Sequence, residues 1–368
     1  MQLLFNCFHC LNKIFYTKDE GEIVVEGFII PFFVAVFISL IMTPVVRKFA
    51  IKIGAIDVPK DERRVHKEPI PLIGGLAIYS GVILSCLMFL PVNKALIATL
   101  LGGTIILISG VIDDLKGLSP KMKLLFQLIA GIVLILGDVK IDFITNPFSA
   151  HGDLVYLNWI SIPVTLFWVI GITNTLNLID GLDGLAGGVA MISSLSLMFV
   201  AAKFGYTEII ILSSIVAGAC LGFLKFNFNP ASIFMGDTGA LFLGFMLASI
   251  SIEGVMKSVA TIAMIVPILI LSVPIFDTTF AIFRRLLSGK SIMSADKGHL
   301  HHRLLSRGYS QKKTVLILYG ISAVFGLFAV LVAKANSKQA IYLSVILLIA
   351  TVLFAIKFGM FKNKNKEE

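Results

Sequence analysis

The sequence predicts an all-α fold, a polytopic transmembrane helical bundle of about 11 spans, and three observations predict it. Of the 368 residues, 57% are hydrophobic and only 14% charged, where a soluble domain has about 45–50% and about 25%. The mean hydropathy is +0.94. The apolar residues also lie in long uncharged runs rather than in the short periodic stripes of a globular core. Gly27 to Val46 is the first such run, and about 20 residues are what a helix needs to cross ~30 Å of hydrocarbon.

Taken in order, the first sixteen residues place Leu4, Phe8, Leu11 and Phe15 on one helical stripe, which suits an interfacial helix. No small-residue cleavage site follows, so this stretch does not read as a removed signal peptide. Cys7 and Cys10 have CxxC spacing without a second ligand pair, which argues against zinc. Cys86 and Cys220 sit in hydrophobic runs and suggest no disulfide framework. Charge-poor runs then predict spans at about 27–46, 70–91, 95–112, 122–137, 158–178, 184–202, 208–224, 238–253, 258–280, 314–333 and 340–357. The gaps between them reach about thirty residues, too little for a soluble domain. The expected organisation is an N-terminal extracytoplasmic or interfacial segment over 1–26, one transmembrane domain over 27–358, and a basic tail over 359–368.

The formal charge of +9 would suggest nucleic acid in a soluble protein; here it sorts by side of the bilayer. With the N-terminus outside, alternation puts 23 of the 31 Lys and Arg on one face. They include Arg47 to Lys67, Lys116 to Lys123, Arg284 to Lys313 and the C-terminal lysines. The positive-inside rule makes that face cytoplasmic, and an odd number of spans leaves the C-terminus there too.

The carboxylates fall on the same face. Asp113 and Asp114 close the third span, Asp180 and Asp183 end the fifth, Asp237 opens the eighth, and Asp277 lies near the end of the ninth. Acids at membrane helix ends are costly unless they meet cations, water or a metal. Asn174, Asn177, Asp180 and Asp183 recur in steps of three, which keeps neighbours near one helical face, among Gly181, Gly184, Gly187 and Gly188. These hard oxygen donors, with Asp237 able to join them, favour Mg²⁺ or Mn²⁺ over zinc. A basic rim around an acidic metal centre suits a pyrophosphate substrate. His299, His301 and His302 have zinc composition, but no further soft ligand lies nearby; beside Arg303 and Lys297 they read as donors to phosphate or sugar oxygens.

Four motifs in register then carry a specific resemblance. Asp113–Asp114, Asn174-x-x-Asn177-x-x-Asp180–Gly181–Leu182–Asp183–Gly184, Phe234–Met235–Gly236–Asp237 and His299–Leu300–His301–His302–Arg303 resemble the polyprenyl-phosphate N-acetylhexosamine-1-phosphate transferases. The resemblance spans the second to the tenth helix. It implies that Asp237 binds Mg²⁺ with Asn177 or Asp180 beside it, and that Asp113 and Asp114 face a lipid phosphate acceptor. It also implies that Lys67 contacts the nucleotide, that Asn227, Asp183 and Phe234 hold uracil with Phe234 stacking, and that His301 and His302 lie near the substrate phosphates. Asn174 completes the polar stripe on the substrate side.

His299-Leu300-His301-His302-Arg303 is closest in pattern to the GlcNAc-1-phosphate branch, which starts teichoic acid, O-antigen or related glycans. The phospho-MurNAc-pentapeptide translocases typically carry three consecutive histidines instead. The expected reaction joins UDP-GlcNAc and undecaprenyl phosphate to give undecaprenyl-diphospho-GlcNAc and UMP. Membrane lipids and, by family resemblance, a second copy of the chain are the other expected partners, nucleic acid is not, and the plasma (inner) membrane is the expected location. The competing class is a cation-coupled transporter. Those proteins bind near the bilayer midplane in repeated halves, whereas here the acids cluster at one face and no half-to-half repeat is evident.

Overall fold

The computed structural model describes residues 26–58, 69–145, 154–256, 264–287, 289 and 298–333, with 342, 345, 346 and 349. The helices are α1 (Glu26–Ile53), α2 (Gly75–Phe89), α3 (Lys94–Lys116), α4 (Pro120–Leu136), α5 (Ser161–Ile179) and α6 (Leu185–Phe204). They continue with α7 (Thr207–Asn227), α8 (Gly236–Ser251), α9 (Ile265–Ile270), α10 (Ser272–Leu287), α11 (Leu300–Ser306) and α12 (Gln311–Val332). Among the described residues seven segments, on α1, α3, α5, α6, α7, α8 and α12, are long and apolar enough to cross a membrane. The chain is an all-α membrane protein.

The bundle is built around α8. After Asp237 this helix has no charged residue, and every position from Thr238 to Ser251 is buried. A helix apolar on all sides belongs in the centre of a bundle, and α2, α3, α5 and α6 pack around this one. On the periphery α1 lies along α7 and α2. Gly218 and Gly222 of α7 let the two backbones close: a Cβ on either would stand 2.3 Å from the carbonyl of Phe32 or Val36 on α1. This is the small-xxx-small packing expected where lipid supplies no hydrophobic drive between helices.

Two predicted spans are modified. The second begins at Gly75 instead of residue 70, because Pro69 and Pro71 bracket Ile70. A residue before proline is held extended, and Ile56–Asp57 (β1) pairs antiparallel with Ile70–Pro71 (β2) there. The ninth is interrupted at Leu271, where α9 ends and α10 begins. Pro274 has no N–H, and its ring excludes the carbonyl four residues back, which is that of Ile270. A second two-stranded pair joins Phe143–Thr145 (β3) to Leu154–Tyr156 (β4), between α4 and α5. The eleventh predicted span, the 1–25 segment, the tail and Lys67 lie outside the described residues, apart from four helical positions within 340–357.

Candidate active site

The predicted polar residues converge because neighbouring helices reverse direction at one end of the bundle. Asp113 and Asp114 close α3, Asn177 lies in the last turn of α5, and Asn227 ends α7. Asp237 opens α8, and Gln311 opens α12. Ser119 and Ser310 cap α4 and α12, each accepting from the backbone N–H three residues on, so both helices start at this end.

Asp237 is the hub. Its Oδ1 accepts from Asn177 Nδ2 at 2.9 Å, and its Oδ2 meets the Lys123 ammonium at 2.6 Å. Lys123 also pairs with Asp113, whose other oxygen accepts from the Leu118 N–H at 2.6 Å. One ammonium therefore bridges two carboxylates from different helices. Asp114 is engaged differently. Its oxygens accept from the N–H groups of Asp237 and Thr238 at 2.9 and 3.0 Å, and from the Thr238 hydroxyl at 2.6 Å. It thus caps α8 from α3, where a carboxylate complements the positive end of the helix dipole. Gly236 makes this possible. Its φ is +68°, and a Cβ there would stand 2.3 Å from Asp114 Oδ2.

Beside the hub opens a cleft of about 430 Å³ lined by Asp114, Asn177, Asp180, Asp183, Asn227, Phe234, Asp237 and His302, among others. Asn227 is 3% exposed; it accepts from the Gly184 N–H at 3.1 Å and donates to the Ile233 carbonyl at 3.0 Å, holding the Asp183–Gly184 turn against the Phe234 loop. Asp183 Oδ2 accepts from Asn229 Nδ2 at 2.9 Å and the Ala231 N–H at 3.0 Å. Asp180, just past the end of α5, has its carboxyl pushed up to about 8, first by burial and then by the Asp237, Asp114 and Asp183 carboxylates.

Other predicted residues stand behind this surface. His299 pairs with Asp277 Oδ2 at 2.7 Å, and the Leu300 N–H donates to Asp277 Oδ1 at 2.7 Å, so Asp277 anchors the start of α11. Arg303 is buried and donates through Nε to the Gly298 carbonyl at 2.9 Å. His301 is buried between His299 and His302, and its pKa is held down to about 3, mainly by burial and then by His302. At neutral pH it is a neutral imidazole rather than a cation. Asn174 does not line the cleft; its amide is paired with Gln127.

Two contributors go beyond the predicted set. Lys123 was legible only as one cation of a basic loop; its signal is a lysine in the first turn of a capped helix ten residues after Asp113. Gln311 lines the cleft and accepts from Asn229 Nδ2 at 2.7 Å; a polar residue at a helix start carries no distinguishing signal.

The donor set fits the implied divalent ion. Asp237, Asn177 and Asp180 offer hard oxygens, and an ammonium already sits between Asp237 and Asp113, so this is a place where positive charge is held. Among the described residues no three His, Cys, Asp or Glu converge as a closed metal cage. Mg²⁺ typically takes one or two carboxylates and completes its shell with water and substrate phosphates.

Residues 96–255 match the family described as glycosyl transferase family 4. A probable undecaprenyl-phosphate N-acetylglucosaminyl 1-phosphate transferase of Bacillus subtilis is 41% identical over 92% of this chain and 94% of its own length. A decaprenyl-phosphate N-acetylglucosaminephosphotransferase of Mycobacterium tuberculosis is 34% identical over 88% of each chain. The undecaprenyl-phosphate alpha-N-acetylglucosaminyl 1-phosphate transferase of Escherichia coli K12 is 27% identical over 84% of each.

Proposed function

The chain belongs to glycosyl transferase family 4, and from that premise we propose that it transfers GlcNAc-1-phosphate from UDP-GlcNAc to undecaprenyl phosphate, releasing UMP. The names of its relatives support transfer of GlcNAc-1-phosphate to a polyprenyl phosphate. The observation that carries the reading is the bridge of Lys123 between Asp113 and Asp237, the last of which also lines a cleft holding Asn177, Asp183, Asn227 and Phe234. A phosphoryl-transfer site needs fixed charge around the diphosphate and a separate pocket for the nucleoside, and these residues have the chemistry for both.

Phosphoryl transfer asks a protein mainly for positioning and charge neutralisation. Phe234 offers a ring to the uracil, while Asp183 and Asn227 shape the pocket around it. The Lys123 ammonium neutralises charge on the diphosphate. Asp237, with Asn177 or Asp180, would hold Mg²⁺ or Mn²⁺, which when bound supplies Lewis-acid stabilisation of the phosphate oxygens. A phosphate monoester has a second pKa of about 6, so the acceptor is mostly dianionic at neutral pH and no strong base is required. An acceptor oxygen attacks the sugar-bearing phosphorus, the bond to the UMP oxygen breaks, and UMP leaves with that electron pair. Asp113 orients the acceptor. Asp114 holds the backbone of Asp237 in place.

In this reading eleven spans place the N-terminus outside and the site at the cytoplasmic face of the plasma membrane, and two copies assemble as a homodimer. A transporter would hold its acids near the midplane; here Asp113, Asp114, Asp180 and Asp237 stand at helix ends. The test is a substrate panel on purified protein with undecaprenyl phosphate. UDP-GlcNAc should yield lipid product, with UDP-GalNAc and UDP-MurNAc-pentapeptide at least ten times slower; preference for the pentapeptide donor would overturn the sugar assignment.

A further inference from the structure

Asp237 is gripped from two sides by two helices: Asn177 on α5 holds Oδ1, and Lys123 on α4 holds Oδ2. Something must set the spacing and register of those helices, because the chain between them is a long connection through the β3–β4 pair. One turn deeper on each helix lies a reciprocal amide pair. Gln127 Nε2 donates to Asn174 Oδ1 at 3.1 Å, and Asn174 Nδ2 donates to Gln127 Oε1 at 2.8 Å. Asn174 Nδ2 also donates to the Ile170 carbonyl at 2.8 Å. Gln127 is 2% exposed. It follows Lys123 by four positions, and Asn174 precedes Asn177 by three, so each amide shares a helical face with its catalytic neighbour. The helices also approach closely at Gly131, where a Cβ would stand 2.6 Å from Leu166 Cδ2.

We propose that the Gln127–Asn174 pair is a clasp that fixes α4 against α5 so that Lys123 and Asn177 reach opposite oxygens of Asp237. Both are positioning residues for the transfer reaction, and the proposal rests on that reaction. Apolar contacts tolerate sliding. A two-point amide pair fixes axial register and rotation together, and at this depth little water is at hand to replace it. Sliding α4 by ~1 Å would change where the ammonium and Asn177 meet the Asp237 carboxylate, and misplacement of that size can cost up to ~10²-fold in rate.

The test compares four variants of the full chain in detergent: Gln127→Leu, Asn174→Leu, the double Leu variant, and the exchange of Gln127→Asn with Asn174→Gln. The double Leu variant should stay folded, with kcat reduced at least ~tenfold and KM for UDP-GlcNAc within about threefold. The exchange should recover most of kcat. A double Leu variant with wild-type kcat, or an exchange no faster than the single variants, overturns the positioning role. Thermal midpoints read the clasp without catalysis. Each single Leu lowers the midpoint and the second restores part of the loss, because a lone buried amide is worse than none; additive losses overturn the clasp. Should the wild type form no lipid product, the reaction falls while the midpoints still decide the clasp.

Discussion

Both oxygens of Asp237 are occupied from neighbouring helices, by Asn177 and by Lys123, so removing this carboxylate strips the site of its hub. Asp237→Ala should lower kcat at least ~10³-fold, at the upper end of losses for a preorganised electrostatic group. Near-normal turnover in saturating Mg²⁺ would rule out its role. Asp180 gives a pH dependence. With its carboxyl pushed up to about 8, it is largely protonated at pH 7 in the ion-free site, and metal ligation requires the carboxylate. The Mg²⁺ concentration for half-maximal activity should therefore rise as pH falls from 8 to 6, by up to ~tenfold per unit. Asp180→Asn should flatten that slope, and an unchanged slope would remove Asp180 from the ion's surroundings. At this scale the acids were legible because a carboxylate in an apolar sequence needs a reason. Asn174 was not: three residues cover about 300° of helix, so successive steps drift and Asn174 lies about 120° around from Asp180. It faces α4 rather than the cleft.

The start of α8 is held by a carboxylate on another helix, so its integrity depends on one glycine. Gly236→Ala would place a methyl group against Asp114 and a side chain at φ +68°, a conformation that costs about 1–3 kcal/mol. It should lower the thermal midpoint and kcat together; a variant with wild-type values for both would dismiss the strain. Hydropathy made the long helices legible as elements, since length and apolar content are what a bilayer demands. Their ends were less so. The prolines at 69 and 71 and at 274 redirect the chain without changing its hydropathy, and the β1–β2 pair that follows from the first two is invisible to a span count. Capping of α8 by Asp114 joins residues 123 positions apart, a relation no local pattern encodes.

Across the whole molecule, Asp113, Asp114, Asn177, Asp180, Asp237 and His302 gather at one end of the bundle, while the opposite end carries the Lys94–Asp138 and Lys140–Asp142 pairs. That these residues share one end was legible in the order of the motifs along the sequence, because successive helices reverse direction. In the proposed reaction that end is where a water-soluble donor meets a membrane-bound acceptor. Sealed inside-out membrane vesicles should form lipid product from added UDP-GlcNAc, whereas right-side-out vesicles should form at most a tenth as much until permeabilised; the reverse order would invert the topology. In the proposed reaction phosphorus travels with the sugar, and a doubly labelled donor reads this out. With ³²P in the β-phosphate and ¹⁴C in the GlcNAc, the lipid product should carry both labels in equal amounts, and unlabelled UMP should leave. Lipid holding ¹⁴C alone, with ³²P released as UDP, would contradict it.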